Sequence, residues 1–222
     1  MSTVKVIKVN ENVFAANDRE ADDIREMCKR NKTFFVNVMS APGSGKTTTL
    51  SRTIETIKDE VNIGVMEADI DSDVDAHTIS QYGVRTIQLH TGGMCHLDAD
   101  MTRQGLHELG MENLDLAVLE NVGNLVCPAE FDTGSSLNIA ILSVPEGDDK
   151  PLKYPLMFEV CDVVLINKVD VLPSFDFDIE KCKENIHYRN KNAKVFEICA
   201  KSGEGVKSWC DYLLTRIRDW KE

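Results

Sequence analysis

The sequence predicts one α/β domain in which a doubly wound, mostly parallel sheet carries helices on both faces. Apolar runs of five or six residues alternate with stretches of helical periodicity, a pattern typical of β-α-β units. A glycine-rich turn separates the first apolar run from the first domain helix. With 222 residues, 42% of them hydrophobic, the chain is long enough to bury a sizeable core.

The charge balance excludes several functions. Its 37 acidic and 25 basic residues give a formal net charge of −12, which argues against a nucleic-acid or anionic-membrane surface. No apolar run approaches the roughly 18 residues of a membrane-spanning helix, and residues 1–5 are not followed by a signal-peptide core, so we expect a cytoplasmic protein. The seven cysteines lack the spacing of a disulfide scaffold and are expected as free thiols or metal ligands.

The glycine-rich turn has the composition of a phosphate-binding loop. The predicted strand 34–39 runs into Ser-Ala-Pro-Gly-Ser-Gly-Lys-Thr at positions 40–47, and a helix is predicted over 46–58. Glycines let several N–H groups converge on one anion, and the helix N-terminus adds positive potential. Ser40 stands where the usual pattern has glycine, and the next residues can supply the bend. The expected nucleotide-binding residues here are Pro42, Gly43, Ser44, Gly45, Lys46, Thr47 and Thr48.

The remaining elements follow in order along the chain. An amphipathic helix over 10–32 precedes the loop, so residues 1–32 are interpreted as an N-terminal extension of a single domain spanning 1–222. The other helices are predicted at 76–82, 97–109, 152–160, 176–191 and 206–220, and the other strands at 61–66, 84–89, 116–120, 138–144, 162–166 and 194–198. In the last helix, Trp209, Leu213, Leu214 and Ile217 share one face and are expected in the core.

Acidic residues follow two of these strands. Ligands bind at the carboxyl ends of strands in open parallel sheets, so Asp69 and Asp75 are candidates to bind Mg²⁺ and to position the attacking water. Glu120 ends the strand 116–120, and Gly123 is expected near the γ-phosphate. With Lys46 reaching the β- and γ-phosphates, the predicted catalytic residues are Lys46, Asp69, Asp75 and Glu120, and the predicted Mg²⁺ ligands are Thr47, Asp69, Asp75 and Glu120.

The sequence Asn-Lys-Val-Asp at 167–170 indicates guanine. The Asp170 carboxylate can accept hydrogen bonds from N1–H and the 2-amino group of guanine, whereas adenine offers neither donor. Asn167 belongs to the same motif, the Lys168 stem can cover one face of the base, and a backbone N–H at Ala200 can donate to O6 with Lys201 covering the other face. A phosphate loop and these two motifs, each at a strand end and in this order, favour GTP.

Cys95, His96 and Cys127 form a candidate metal site. Cys127 lies 32 residues after Cys95, and both segments leave strands at the same sheet edge if the sheet is parallel. Two thiolates and one imidazole suit Zn²⁺ or Ni²⁺ and are poor ligands for Mg²⁺. The alternative is two ordinary thiols beside a surface histidine. Because Cys127 follows Gly123 by four residues, nucleotide state and ligand geometry would be linked.

These motifs together resemble the HypB family of hydrogenase nickel-incorporation GTPases. The resemblance rests on the phosphate loop, Met-Cys-His-Leu-Asp at 94–98, Glu-Asn-Val-Gly-Asn-Leu-Val-Cys-Pro at 120–128, Glu-Gly-Asp-Asp at 146–149 and the Asn-Lys-Val-Asp motif. It implies a GTPase that forms a nucleotide-dependent homodimer, works with a HypA-type accessory protein and helps deliver Ni²⁺ to the hydrogenase large subunit. It also implies that Cys95, His96 and Cys127 bind Zn²⁺ or Ni²⁺ at a dimer interface. The N-terminal cysteine motif and histidine-rich stretch of some members are missing from this sequence.

The leading hypothesis is a metal-coupled GTPase that hydrolyses GTP slowly and releases its ion to a partner. Urease-type and cobalamin-related chaperone GTPases are alternatives with the same architecture, although a Cys-His pair with a distant cysteine, instead of Cys-Pro-His, favours hydrogenase. A small-molecule kinase or ligase could use the same phosphate loop. It would not need Asn167 and Asp170.

Overall fold

A seven-stranded, all-parallel sheet lies at the centre of the chain, whose computed structural model describes residues 10–69 and 73–222, with side chains from residue 14 onward. The strand order is β3-β2-β4-β1-β5-β6-β7, so β1 is central and the order reverses on either side of it. The doubly wound parallel fold is therefore confirmed. The strands are β1 Phe34–Ser40, β2 Ile63–Asp69, β3 Arg85–His90, β4 Leu116–Glu120, β5 Leu137–Ser143, β6 Val163–Asn167 and β7 Lys194–Glu197.

Helices cover both faces of the sheet. Helices α2, α3 and α9 share one hydrophobic cluster with the strands. On the opposite face, α1 and α4 belong to a second cluster, and α5, α7 and α8 belong to a third. The expected core residues of the last helix, from Trp209 to Ile217, are all buried. The helices are α1 Asn10–Asn31, α2 Lys46–Ile57, α3 Val74–Ser80, α4 Ala99–Leu109, α5 Cys127–Glu130, α6 Lys150–Lys153, α7 Pro155–Val160, α8 Ile179–Arg189 and α9 Val206–Lys221.

Some boundaries differ from the prediction for identifiable reasons. Strand β2 extends to Asp69 because its backbone pairs with β3 as far as His90, so ladder hydrogen bonds outweigh the polarity of its last side chains. The single helix expected over 152–160 is two helices, separated at Tyr154. Pro155 has no N–H to continue a helix and disfavours helical backbone at the residue before it. The first nine residues and Asp71 lie outside the described part of the chain.

A chain of amide side chains crosses the middle of the sheet. Asn121 donates through Nδ2 to Oδ1 of Asn37 (3.1 Å), and Asn37 donates through Nδ2 to Oδ1 of Asn138 (3.0 Å). The hydroxyl of Ser135 also donates to this last oxygen, at 3.0 Å. We call the three asparagines the amide chain; Asn37 and Asn121 are buried, and Asn138 is half-buried. Because an unpaired buried amide would cost about 1–3 kcal/mol, these hydrogen bonds offset the cost of burying Asn37 and Asn121.

All seven cysteines are free thiols, as expected. Cys95 and Cys127 are half-buried, and the other five are buried. Burial raises the pKa of Cys28, Cys182 and Cys210, which keeps these thiols protonated and unreactive. Within the described residues, no helix is both long enough and apolar enough to cross a lipid bilayer.

Helix α1 packs on the same core as the rest of the domain. Ala21, Ile24 and Cys28 lie fully buried in one cluster with residues of β1, β2, β4 and α4. Gly134, in the loop before β5, approaches α1 so closely that a Cβ there would lie 2.7 Å from the Ala21 carbonyl oxygen and 2.7 Å from Ile24 Cβ. The loop that follows Cys127 is therefore seated directly on α1.

The substitution Gly134→Ala tests the close packing of this loop against α1. Gly134 and Gly83 have nearly the same positive φ, 75° and 77°, but the space around Gly83 is open. Alanine at either position costs about 1–2 kcal/mol in left-handed backbone, and at Gly134 we expect a further loss of about 1–3 kcal/mol from overpacking against α1. Urea unfolding of Gly134→Ala and Gly83→Ala measures the difference, and equal losses would contradict the packing described here.

Candidate nucleotide and metal sites

A cleft opens at the carboxyl ends of β1, β2 and β4. It has an empty volume of about 1060 Å³ and brings together most of the residues expected around the phosphates and Mg²⁺. Gly123 faces the phosphate loop, since a Cβ there would lie 3.3 Å from Lys46 Nζ and 3.3 Å from Pro42 Cγ. The described residues that line the cleft are Pro42, Gly43, Gly45, Lys46, Thr47, Thr48, Asp69, Asp75, Glu120, Val122, Gly123 and Lys168.

The phosphate loop is held from beneath by two serines. Ser44 does not line the cleft; it is buried and donates through Oγ to Oγ of Ser40, at 2.6 Å. Gly43 and Gly45 supply the left-handed turns, with φ of 76° and 96°, and α2 begins directly afterwards at Lys46. The hydroxyl at position 40 thus anchors the loop where the usual sequence has glycine.

Two buried glutamates meet at the floor of this cleft. Glu67 and Glu120 are opposite each other in the β2–β4 register, and each is 3% exposed. Thr47 Oγ1 donates to Glu120 Oε1 at 2.9 Å, while Glu120 Oε2 and Glu67 Oε1 have no hydrogen-bond partner among the described residues. Burial raises the pKa of both carboxyls, and the charge of Glu120 and a hydrogen bond with it raise that of Glu67 further. Glu120 lines the cleft together with Lys46 and Thr47, and its unpaired oxygen is a hard donor of the kind that binds Mg²⁺.

A second cleft lies next to the first and shares Gly45, Thr48 and Lys168 with it. Its other described lining residues are Asn167, Asp170, Val171, Cys199, Ala200 and Lys201, and its empty volume is about 760 Å³. Asn167, Lys168, Asp170, Ala200 and Lys201 were all expected around a guanine base. The Ala200 N–H that was expected to donate to guanine O6 instead donates to Oδ1 of Asn167 in this structure. The exposed Asp170 carboxylate stands at the mouth of the cleft.

Asn167 braces three loops around this second cleft. Its Nδ2 donates to the Ser44 carbonyl at 2.9 Å, and its Oδ1 accepts from the N–H groups of Lys168 (2.8 Å) and Ala200 (3.1 Å). A Cβ on Gly45 would lie 2.6 Å from this Nδ2. The brace therefore fixes the phosphate loop relative to the base-binding loops and requires glycine at position 45.

Two basic side chains also connect the phosphate loop and its helix to the base-binding loops. Lys168 adopts a left-handed backbone with φ 65° and donates through Nζ to the Gly43 carbonyl, at 2.6 Å. Arg52 on α2 donates to the carbonyls of Ala200 (3.2 Å) and Lys201 (3.0 Å). Each contact ties the segment that would cover the base to the segment that would hold the phosphates.

Cys95, His96 and Cys127 converge at the same edge of the sheet. Their ligand atoms all lie within 4.8 Å of one another, and all three residues are half-buried. Cys95 and His96 lie in the loop between β3 and α4, which lets adjacent side chains converge, and Cys127 is the first residue of α5. Among the described residues, these three side chains form the group that could hold a soft cation.

The ring of His96 is fixed in place by an aromatic neighbour. It stacks on Phe131 with centroids 4.0 Å apart and planes 15° apart. Burial lowers the pKa of His96, which keeps the imidazole neutral and able to bind a metal. A hydrogen bond with Cys127 raises the pKa of Cys95. The Cys95 thiol therefore keeps its proton more strongly than a free thiol, and a metal would have to displace that proton to bind the thiolate.

One short segment belongs to both sites. Glu120 and Gly123 line the phosphate cleft, and four residues later Cys127 joins the metal cluster. Between them, Asn124 Oδ1 accepts from the Val126 N–H at 2.8 Å and shapes the turn. Only three residues therefore separate Gly123 in the phosphate cleft from a candidate metal ligand.

Sequence reasoning missed several residues of these sites. Glu67 directly follows the predicted strand 61–66 but was not singled out, although a glutamate at the end of each of two predicted strands was a usable signal. Asn17 and Phe131, which contact the metal-ligand segments, have no local pattern that identifies them.

Comparison with known proteins gives the family. The profile described as "CobW/HypB/UreG, nucleotide-binding domain" matches residues 34–197. Hydrogenase maturation factor HypB from Azotobacter chroococcum mcd 1 is 43% identical over 215 residues, covering 96% of this chain and 70% of that protein.

Two solved structures extend the match to the fold. A crystal structure of HypB from Helicobacter pylori in complex with nickel has a TM-score of 0.86 at 38% identity, covering 92% of this chain and 96% of that one. HypB from Archaeoglobus fulgidus has a TM-score of 0.85 at 40% identity, covering 91% and 99%. Sequence and fold agree, and the chain belongs to the HypB hydrogenase maturation factors within the CobW/HypB/UreG family of nucleotide-binding GTPases.

Proposed function

We propose that this protein is a GTP-hydrolysing nickel chaperone that uses nucleotide state to control the release of Ni²⁺ for hydrogenase maturation. The observation that carries the proposal is the segment shared by the two sites, in which Glu120, Gly123 and Cys127 follow one another within eight residues. The family supports this function, because a close relative is a hydrogenase maturation factor and another was crystallised with nickel.

The chain's own groups account for phosphate binding. The N–H groups of Gly43, Gly45 and Lys46 would donate to a bound phosphate, at which α2 directs its N-terminus. The Ser44 N–H already donates to the Ala41 carbonyl, at 3.4 Å. Lys46 neutralises charge on the β- and γ-phosphates, and Asp69, Asp75 and Glu120 orient the attacking water. No arginine or glutamine is among the described residues that line the phosphate cleft, which supports slow intrinsic hydrolysis.

The oxygen donors at the floor of the cleft fit Mg²⁺. Thr47, Asp69, Asp75 and Glu120 would hold the ion, and the unpaired Oε2 of Glu120 is a buried acceptor in need of a cation. When bound, Mg²⁺ would offset the negative charge of the phosphates. Glu67 keeps Glu120 in place through their hydrogen bond.

Nickel is the cargo in this scheme, with zinc as the other ion that the ligands suit. Cys95, His96 and Cys127 supply three soft or borderline donors, one fewer than a closed tetrahedral site needs. A water, a thiolate of a HypA-type accessory protein or a second copy of this chain would complete the set. Met94 and Val126, 37% and 49% exposed, flank the ligands and support a homodimer contact there. In the cytoplasm, hydrolysis would loosen the Gly123 loop and free the ion for the hydrogenase large subunit.

The alternatives are less well supported. Urease-type and cobalamin-related chaperones would share the nucleotide clefts, but the relative with 43% identity carries the hydrogenase name. A kinase or ligase would not need the brace that Asn167 forms between the phosphate loop and the base cleft.

Substituting Asp170 tests guanine selectivity. Asp170→Asn should lower GTP affinity by about 10–100-fold, because hydrogen bonds to a charged group contribute about 1.5–3 kcal/mol, and should raise the affinity for XTP. Fluorescent-nucleotide titration measures both affinities. Asp176→Asn, an exposed carboxylate six residues away, serves as the control. Tight ATP binding by the unaltered chain would instead favour a kinase.

Substituting Cys127 tests the ligand set. Cys127→Ala should weaken Ni²⁺ binding by at least about 100-fold, because losing an outer-sphere partner alone costs 10–100-fold, and should leave GDP affinity unchanged. Competition with a chromophoric chelator measures the nickel affinity. Leu152→Ala, at an exposed apolar position of α6 outside the ligand cluster, is the control. Equal nickel affinity in the two variants would remove Cys127 from the site.

The link between the sites has its own test. Nickel affinity of the unaltered chain should differ between the GDP complex and the complex with a non-hydrolysable GTP analogue, because only the analogue has a γ-phosphate to hold Gly123. Parallel nickel titrations of the two complexes give the ratio. A ratio of one would leave a GTPase whose metal binding is independent of nucleotide.

A further inference from the structure

We propose that the first half of α1 is a splint for the metal centre, with Asn17 and Phe131 as positioning residues that set the distance of Cys127 from Cys95 and His96. The inference rests on the ligand set of the proposed function. It assigns to the N-terminal helix a role in metal affinity, although none of its described side chains belongs to the cluster of ligands.

Asn17 bonds both ligand-bearing segments with one amide. Its Oδ1 accepts from the N–H of Ala99 at 2.8 Å, and Ala99 lies three residues after His96. Its Nδ2 donates to the carbonyl of Asp132 at 2.9 Å, and Asp132 lies five residues after Cys127. Asn17 is only 9% exposed, so neither bond exchanges readily with water and the separation of the two segments is fixed.

The aromatic stack makes a second bridge between the same segments. Phe131 belongs to the Cys127 segment, and its ring stacks on His96 from the other one. Phe14, one turn before Asn17 on α1, packs on Phe131 with centroids 5.3 Å apart. The stack limits rotation of the imidazole, whose Nδ1 lies 3.9 Å from Cys95 Sγ.

Further contacts hold each segment on α1. Arg25 donates through one guanidinium nitrogen to both carboxylate oxygens of Asp132, at 2.6 and 2.5 Å. On the other side, Glu20 forms an ion pair with Arg103 of α4, the helix that follows His96. Both segments are thus seated on one rigid element.

The energetic consequence follows from preorganisation. Three ligands held at the correct separation before the ion arrives lose little freedom when they bind it, whereas two independent segments must be ordered by the ion itself. Outer contacts of this kind change metal affinity by about 10–100-fold. No α1 residue is among the described lining residues of either nucleotide cleft, so nucleotide affinity should not respond.

The first experiment compares two asparagines of α1. Asn17→Ala should weaken Ni²⁺ binding about tenfold or more in the GDP complex and alter the thiolate-to-nickel charge-transfer absorption, with GDP affinity unchanged. Asn31→Ala is the matched control, because Asn31 is exposed and its amide donates only to Met27 within the same helix. Chelator competition and near-ultraviolet absorption give the two readouts.

The second experiment does not depend on Asn17. Phe131→Leu should weaken nickel binding and change the same absorption, and Phe131→Tyr, which keeps the ring stack, should restore both. If Asn17→Ala does not fold, this pair decides. Nickel affinity and spectra equal to those of the unaltered chain in both Asn17→Ala and Phe131→Leu would overturn the splint. If Cys127→Ala still weakens binding in that case, the ligand set stands and only the splint is lost.

Discussion

Strand β4 lies between β1 and β2 and pairs in parallel with both. Its carboxyl end therefore delivers Glu120 to the hydroxyl of Thr47 and directs the following residues across the phosphate loop. The same backbone then turns into α5, whose first residue is Cys127. The phosphate cleft and the metal cluster both depend on this pairing. Without it, the Glu120 carboxylate and the Cys127 thiol would not reach their neighbours.

Two buried carboxyl groups, those of Glu67 and Glu120, lie side by side next to the phosphate cleft. Burial raises the pKa of both Glu67 and Glu120, and the charge of Glu120 raises that of Glu67 further. The positive charge of Lys46 opposes the shift at both residues. A divalent cation bound here would compete with protons for these carboxyls.

The sequence was sufficient for the fold and for most of the site because the relevant signals are local. The phosphate loop, the Asn-Lys-Val-Asp motif and the Cys-His pair are contiguous, and alternating apolar runs and helices predict a parallel sheet that places them at one edge. Contacts between segments that are far apart in the chain could not be predicted from the sequence. Asn17 meets Asp132 across 115 residues, and Asn167 meets Ser44 across 123. The end of β2 was also missed, because inter-strand pairing, and not side-chain polarity, decides where it stops.

The amide chain has a consequence for how the sheet assembles. An apolar strand can slide by two residues and still bury the same face, so a purely hydrophobic β4-β1-β5 core would tolerate several alignments. Asn37, Asn121 and Asn138 hydrogen-bond to one another in a single alignment, and a shift would leave the buried amides of Asn37 and Asn121 without these partners. The amide chain thus favours one strand register during folding, the register in which Glu120 reaches the hydroxyl of Thr47.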